Sequence, residues 1–140
     1  RPHWSHKIDS RYIVACFVVF VDQLTKDLFF SSVVNHGVSF GLFSSWMTWV
    51  GVWMVVIFPL VLLIFVWSVL KKYPIVLGLL QGGAVSNLLD RLLYGGVRDW
   101  LPVPVLFSQF GLRNNLADWA IVGALIVFFF IQIRKDRSMV

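Results

Sequence analysis

Apolar residues along this chain fall into four long runs that are separated by short polar stretches. The runs cover about residues 12–30, 46–70, 74–94 and 116–133. The second run has no charged residue, and a helix that rises about 1.5 Å per residue would cross a ~30 Å hydrocarbon core over this length. The pattern therefore predicts an all-α integral membrane protein with four transmembrane helices, in a single domain that spans residues 1–140.

The composition excludes an ordinary soluble domain. Hydrophobic residues make up 59% of the 140 residues, charged residues make up 14%, and the mean hydropathy is +0.81. A soluble chain this short cannot bury so much apolar surface, whereas lipid solvates it. The net charge of +5 does not indicate a nucleic-acid partner, because the basic residues punctuate the apolar runs and form no single patch.

The positions of lysine and arginine predict the orientation. They cluster before the first run, between the second and third, and after the fourth: Arg1, Lys7, Arg11, Lys71, Lys72, Arg134, Lys135 and Arg137. Four spans would put these three clusters on one side, which the positive-inside tendency makes cytoplasmic. The loop 31–45 has no Lys or Arg, whereas Arg98 and Arg113 weaken the rule in the connection 95–115. Both termini are therefore expected in the cytoplasm.

Cys16 is the single cysteine of the chain, so neither a disulfide framework nor a cysteine-based metal site is expected. The residues from Ile13 to Cys16 resemble a lipidation cleavage box. However, only four residues separate Arg11 from Cys16, and a signal core needs about 7–15 apolar residues. Cys16 is expected to be a small buried side chain.

All seven acidic residues are aspartates, and five of them lie in or beside the apolar runs: Asp22, Asp27, Asp90, Asp99 and Asp118. A carboxylate in such a place costs several kcal/mol unless it is compensated, which makes it a candidate functional residue. In the four-helix topology these polar residues gather at the non-cytoplasmic end. Polar residues that served only local packing would have no reason to collect there.

Asp99 and Asp118 are the candidate catalytic pair. Two carboxylates in a poorly hydrated cleft cannot both ionise, so one acts as an acid and the other as a base. The alternative is that Asp118, near a helix start, simply caps that helix. The three histidines lack the spacing of metal ligands, so no metal is expected: His3, His6 and His36.

Asn87, Asp90 and Arg91 share one helical face at positions i, i+3 and i+4. This face could orient a substrate carbonyl through Asn87 and Arg91, or it could be a polar clamp in which Asp90 pairs with an arginine. The small residues at 82–84 indicate close helix packing. Asp22 and Lys26, at i and i+4, would neutralise each other, which alone explains both.

Five short motifs, in order along the chain, resemble those of the lipoprotein signal peptidase (signal peptidase II) family, the bacterial aspartyl membrane peptidases. Residues 22–26 (DQLTK) are similar to D-Q-x-T-K, and residues 35–41 (NHGVSFG) match N-x-G-x-x-F-G. Residues 82–91 (GGAVSNLLDR) resemble G-G-A-x-G-N-x-x-D-R. Residues 97–100 (VRDW) resemble V-x-D-F, and residues 114–118 (NNLAD) resemble F-N-x-A-D.

The resemblance implies an intramembrane aspartyl endopeptidase in which Asp99 and Asp118 form the catalytic dyad. It implies that other residues support the substrate, the dyad or the architecture around them: Asp22, Lys26, Asn35, Gly37, Asn87, Asp90, Arg91 and Asn115. The implied fold adds a small extracytoplasmic β element over about 31–45 and a short helix or loop over about 95–112. Ser86, Trp100 and Asn114 depart from the family pattern, which concerns the pocket shape and leaves both carboxylates in place.

The implied substrate is a diacylglyceryl-modified prolipoprotein, cut just before its lipidated Cys. The implied setting is the bacterial cytoplasmic (inner) membrane, with the active site near the outer leaflet and membrane lipid as a partner. A monomer without a cofactor or nucleic acid is expected. The alternative is a small proton- or cation-coupled transporter, which would spread polar residues across the depth of the membrane.

Overall fold

The computed structural model describes residues 9–29, 33–35, 64, 67, 69–103 and 113–137. Within these residues the chain is mostly helical, as the hydrophobic pattern predicts, and it also contains small sheets. Three helices are described: α1 (Ser10–Leu28), α2 (Pro74–Tyr94) and α3 (Leu116–Arg137). Four short strands accompany them: β1 (Val33–Asn35), β2 (Val97–Asp99), β3 (Leu101–Pro102) and β4 (Arg113–Asn114).

The helix boundaries follow from local signals in the sequence. α1 is capped by Asp9, whose carboxylate accepts a 3.0 Å hydrogen bond from the backbone N–H of Arg11. α2 starts at Pro74, where a missing N–H costs nothing, and ends at Gly95, whose φ of 71° is readily available only to glycine.

α3 runs four residues beyond the predicted end at about 133. Its last turn holds Arg134, Lys135 and Arg137, and cations there interact favourably with the negative end of the helix dipole. In the sequence these residues look like a polar tail, because the apolar run stops before them. In the structure the helix continues through them.

Glycines allow α2 to lie close to both neighbouring helices. A Cβ atom placed on Gly82 would lie 2.7 Å from the Cβ of Val18 in α1. One placed on Gly83 would lie 2.6 Å from the backbone oxygen of Ala117 in α3. Both distances are far shorter than real contacts, so the packing interpretation of these two residues is confirmed.

We expect Gly83→Ala to lower the free energy of unfolding by about 1–3 kcal/mol, because the added methyl group meets the backbone of α3. Gly123→Ala is the matched control, since a Cβ there meets nothing within 4 Å. The control should leave stability unchanged or raise it by up to about 1 kcal/mol. Thermal unfolding in detergent measures both, and equal stability of the two variants would contradict the close packing of α2 on α3.

α3 is, among the described residues, the one helix that is long and apolar enough to cross a membrane. Only 11% of its most apolar stretch is buried inside the molecule, so it does not resemble the core helix of a soluble protein. Its large side chains face outward, as Leu125 and Phe129 do. This surface suits contact with lipid.

Cys16 is exposed, not buried as expected. The reason is the direction in which α1 packs: it turns Val14 and Val18 towards α2. Cys16 then lies on the outer side of the helix with Phe17 and Phe20, which are also exposed. In an outward-facing apolar surface, a cysteine behaves as a small hydrophobic residue without being enclosed by protein.

The predicted second helix, over 46–70, lies largely outside the described residues. Ile64, Trp67, Val69 and Leu70 are helical. A four-helix transmembrane topology stays a prediction.

The sheets join segments that are far apart in the sequence. β1 pairs antiparallel with β2, with Val33 opposite Asp99 and Asn35 opposite Val97. β3 pairs antiparallel with β4. β1 falls within the predicted β element. The segment over about 95–112 was predicted to be a short helix or loop. Its described part, to residue 103, instead contains strands β2 and β3, because these residues pair with β1 and β4.

The helix bundle has an apolar end and a polar end. Leu70, Val76, Leu77 and Ala124 form a buried apolar cluster near the start of α2. The buried polar residues lie late in α1, late in α2 and at the start of α3. α1 and α2 run in parallel and α3 runs antiparallel to them, which brings these three helix segments together beside the strands.

Candidate active site

Asp99 ends strand β2 and is held by two amides. Asn35 donates a 3.0 Å hydrogen bond to its Oδ2, and Asn115 donates a 2.8 Å hydrogen bond to its Oδ1. The side chain is almost fully buried. Burial raises the pKa of Asp99 to about 6, and the charge of Asp118 acts in the same direction, while the two amide hydrogen bonds oppose the rise.

Asp118 lies in the first turn of α3 and faces α2. Its Oδ1 accepts a 2.9 Å hydrogen bond from Nδ2 of Asn87. The helix is capped by Asn115, whose Oδ1 accepts a 3.0 Å hydrogen bond from the backbone N–H of Asp118. Asp118 is therefore not the residue that caps this helix, which was the alternative to a chemical role.

Asn115 contacts both aspartates. Its side-chain NH₂ binds Asp99 while its side-chain oxygen binds the backbone of Asp118, and the residue is completely buried. An amide that uses both of its ends in this way has one favourable orientation. This one side chain therefore contacts both aspartates and contributes to their relative position.

Lys26 is the buried cation of the site. Its ammonium group lies 2.6 Å from Asp22, 3.1 Å from Asp90 and 3.2 Å from the Oδ1 atom of Asn87. These three acceptors match the three protons of an ammonium group. Because Lys26 binds the oxygen of Asn87, the NH₂ of that amide points to Asp118.

The predicted pair of Asp22 and Lys26 is confirmed, but Asp22 has further partners. Its Oδ2 accepts a 2.7 Å hydrogen bond from the hydroxyl of Ser86. Its Oδ1 accepts a 2.9 Å hydrogen bond from the backbone N–H of Ala117, one of the N–H groups that a helix start leaves unpaired. Asp22 therefore connects all three helices directly behind Asp118.

Asp90 acts as a polar clamp, and its arginine partner is Arg98 in β2, at 3.0 Å. Arg91 instead donates a 3.2 Å hydrogen bond to the backbone oxygen of Asn87, and it interacts electrostatically with Asp118 and Asp99. Both ends of the Asn87 amide are already used. Asn87 therefore uses its amide within the protein, and a contact of Arg91 with a substrate stays a prediction.

Three residues of the polar network were not selected from the sequence: Gln23, Ser86 and Arg98. Gln23 donates hydrogen bonds of 2.9 Å to both Asp90 and the hydroxyl of Ser86. Gln23 lies inside the first motif and Ser86 inside the third, so their places in these motifs were the available signal. Arg98 was noted as an exception to the charge pattern that lies beside candidate site residues, but it was given no role in the site. Gly37 lies outside the described residues.

Three buried polar atoms in or next to this site have no hydrogen-bond partner within the part of the chain that the structure describes. One of them is the Nε atom of Arg98. The indole Nε1 of Trp100 and the side-chain Oδ1 of Asn114 are buried without a hydrogen-bond partner. The backbone groups of the same residues are joined, since the N–H of Trp100 donates to the backbone oxygen of Asn114 at 3.1 Å. The ring of Trp100 also stacks on Phe29, with centroids 4.1 Å apart.

The described ranges contain no group of three or more His, Cys, Asp or Glu side chains that could hold a metal ion. Where Asp22 and Asp90 come together, the ammonium group of Lys26 lies between them. The chemistry that the described site offers is that of two linked carboxyl groups, of which Asp99 has a raised pKa. Such a pair can exchange protons with a water molecule and an amide.

Comparison with known proteins first defines the class. The fold matches the solved structure of a bacterial membrane enzyme determined by the in meso method at 2.3 Å resolution, with a TM-score of 0.71 and 25% sequence identity over 99% of this chain and 95% of that chain. A second bacterial membrane enzyme, determined by the same method at 1.9 Å, matches with a TM-score of 0.68 and 23% identity over 94% of this chain and 97% of that chain. This is a bacterial membrane protein with the fold of an enzyme.

The sequence then gives the family. Residues 14–134 match signal peptidase (SPase) II, and the chain belongs to this family of peptidases.

Two relatives are lipoprotein signal peptidases. The one from Blochmanniella pennsylvanica is 34% identical over an alignment of 102 residues, and this alignment covers 68% of this chain and 61% of that protein. The one from Caldanaerobacter subterraneus subsp. tengcongensis is 30% identical over 88% of this chain and 95% of that protein. The alternative of a small coupled transporter is not favoured.

Proposed function

We propose that this chain removes the signal peptide from lipid-modified prolipoproteins and that Asp99 and Asp118 are its catalytic pair. The single observation that carries the proposal is that Asn115 donates to the carboxylate of Asp99 and accepts from the backbone N–H of Asp118, which holds the two aspartates together at the polar end of the bundle. Membership of the signal peptidase II family supports the peptidase activity. The names of the relatives support a prolipoprotein as the substrate.

In the proposed mechanism the pair shares one proton. The ionised carboxylate takes a proton from water while the water oxygen attacks the scissile carbonyl carbon. The protonated carboxyl group donates a hydrogen bond to the carbonyl oxygen as charge develops there. When the C–N bond breaks, a proton from the pair passes to the leaving amine, and the carboxylic acid of the signal peptide and the free amine of the lipidated Cys result.

Burial raises the pKa of Asp99 to about 6, so this carboxyl group holds a proton more readily than an ordinary one, and the pair titrates as a unit. Asn87 supplies a hydrogen bond to Asp118, and a hydrogen bond to the charged form stabilises a carboxylate. Asn35, Asn87 and Asn115 would then orient the pair, and Asp22, Lys26 and Asp90 would hold the helices that carry it. Arg91 would contact the substrate.

We also propose the membrane arrangement. The polar end of the bundle would lie near the outer leaflet, and both termini would be cytoplasmic after four transmembrane helices in one domain. The basic residues support this topology, because Arg11, Lys71 and Arg134 all lie at the apolar end of the helices, opposite the carboxylates. A lipid-anchored substrate would then diffuse in the membrane plane to a monomeric enzyme, which raises its effective concentration.

The test is a gel-shift cleavage assay in detergent, with a diacylglyceryl-modified prolipoprotein and the same prolipoprotein without lipid. We expect cleavage of the modified form alone, with a product that begins at the lipidated Cys by mass spectrometry. Equal cleavage of both forms would contradict the proposed substrate. An enzyme that is folded but cleaves neither form would contradict the proposed activity.

A further inference from the structure

Arg98 lies directly before Asp99 on strand β2, and its side chain contacts two helices, α1 and α2. Its guanidinium group forms an ion pair with Asp27 near the end of α1 and a 3.0 Å ion pair with Asp90 in α2. It also donates a 2.7 Å hydrogen bond to the side-chain oxygen of Gln23. The group lies 4.2 Å from the ring centre of Tyr94, so an aromatic face covers it.

The backbone of Arg98 is attached to the helices as well. Its N–H donates a 2.8 Å hydrogen bond to Oδ2 of Asp90, while the guanidinium group binds Oδ1 of the same carboxylate. One carboxylate of α2 therefore holds both the main chain and the side chain of this strand residue. Successive side chains of a strand point to opposite faces, and Asp99 accordingly contacts Asn35 and Asn115 instead.

Charge compensation alone does not explain these contacts. Asp90 already has Lys26 at 3.1 Å as a buried cation. The side chain of Asp27 is 65% exposed, so water can solvate its charge. What Arg98 adds is geometry, because a guanidinium group donates several hydrogen bonds in fixed directions.

Strand β2 needs such an anchor. It has three residues and in the described part of the chain it pairs with the three-residue strand β1. A two-stranded pair of this length is marginally stable by itself. A small shift of β2 would move Asp99 relative to Asp118, and a displacement of about 1 Å in a reacting group can reduce a rate about 100-fold.

We propose that Arg98 is a positioning residue, which fixes β2 on α1 and α2 so that Asp99 keeps its place beside Asp118. This proposal rests on the proposed peptidase function. The motif that this segment resembles, V-x-D-F, allows any residue at position 98. The arginine at this position is therefore a feature of this chain's own sequence.

The first test compares Arg98→Met and Arg98→Lys with the wild type in the cleavage assay, per amount of folded enzyme. We expect Arg98→Met to lower kcat by about 10–100-fold with little change in KM, because the substrate still binds but one carboxyl group is displaced. Arg98→Lys keeps the charge without the guanidinium geometry, so it should stay well below the wild type. Wild-type kcat in either variant would overturn the proposal.

Arg11→Met is the matched control. Arg11 also pairs with an aspartate, Asp9 at 3.0 Å, and also lies over aromatic rings, but it is at the opposite end of α1. Its replacement should leave kcat at the wild-type value. An equal loss of kcat in both arginine variants would show that a general loss of structure explains the effect.

Two further measurements keep the proposal testable if Arg98→Met folds poorly. Asp27→Asn removes one exposed partner of Arg98, and we expect kcat to fall about twofold to fivefold, with no further loss when it is added to Arg98→Met. Hydrogen–deuterium exchange of the peptide that covers residues 96–103 should accelerate in both Arg98 variants and not in Arg11→Met. Unchanged exchange in the Arg98 variants would overturn the positioning role, whatever the substrate of the enzyme is. A wild type that cleaves nothing would instead contradict the peptidase proposal.

Discussion

Asp99→Asn is expected to lower kcat by about 10²–10⁴-fold or more, since an amide can neither accept the proton of the attacking water nor deliver one to the leaving amine. Asp118→Asn should have the same effect, because the two residues act as one unit and the loss of either removes the shared proton. The measurement is the cleavage assay with the lipid-modified prolipoprotein.

Asp136→Asn is the control for this pair of variants. It removes the same charge at the exposed end of α3, opposite the polar end of the bundle. Cleavage should continue at the wild-type rate. If Asp99→Asn cleaved as fast as this control, the catalytic assignment would be wrong.

The variant Asp99→Asn should also change how the stability of the folded chain depends on pH. The pKa of Asp99 is raised to about 6 from 3.8, so between these values the folded chain keeps a proton that the unfolded chain releases. The stabilising contribution of this proton is complete below about pH 3.8 and is lost as the pH rises through about 6. Asparagine does not titrate, so the unfolding temperature of Asp99→Asn relative to the wild type should rise over this interval and then level off. A constant difference from about pH 4 to pH 8 would contradict the raised pKa.

Lys26→Met should produce the largest loss of stability, about 3–5 kcal/mol in the free energy of unfolding. Lys26 and Asp22 are both completely buried, and Asp90 shares the same ammonium group. Removing the cation leaves Asp22 without its ion-pair partner in a medium where an unpaired charge is very costly, while Asp90 keeps Arg98. Chemical unfolding in detergent measures the loss.

Lys71→Met is the control for this variant, because Lys71 is exposed beyond the apolar end of the bundle. Its stability should equal that of the wild type. The double variant Asp22→Asn with Lys26→Met should recover part of the lost stability, since the uncompensated charge of Asp22 is removed together with the cation. A loss below about 1 kcal/mol in Lys26→Met would show that the ammonium group is not needed for this packing.

The sequence was a good guide to what depends on neighbouring residues. α2 was predicted over 74–94 and spans those residues, because proline at its start and glycine after its end are strong local signals. The bound of α3 was predicted less well, since the cations that favour a last helical turn look the same as the start of a polar tail. Cys16 was misplaced because hydrophobic character does not distinguish a protein interior from lipid.

Long-range partners could not be read from the sequence. Asp22 and Lys26 were correctly paired, since they are one helical turn apart. That Lys26 also binds Asp90 and Asn87 depends on how α1 packs on α2, and no local pattern encodes this register. Arg98 was interpreted as an exception to the charge rule that lies beside candidate site residues, but its partners in α1 and α2 could not be predicted from that position. The roles of the candidate residues in catalysis stay predictions.

The ion pairs of Lys26 with Asp22 and Asp90 are buried, so dissolved ions cannot reach them. The ammonium group and the carboxylate of Asp22 have no exposed surface, so mobile salt cannot enter between them and screen their attraction. The ion pair of Arg98 with Asp27 differs, because the aspartate is largely exposed. A rise in the ionic strength of the surrounding solution therefore weakens the ion pair of Arg98 with Asp27 first, while the buried contacts of Lys26 stay as they are in dilute solution.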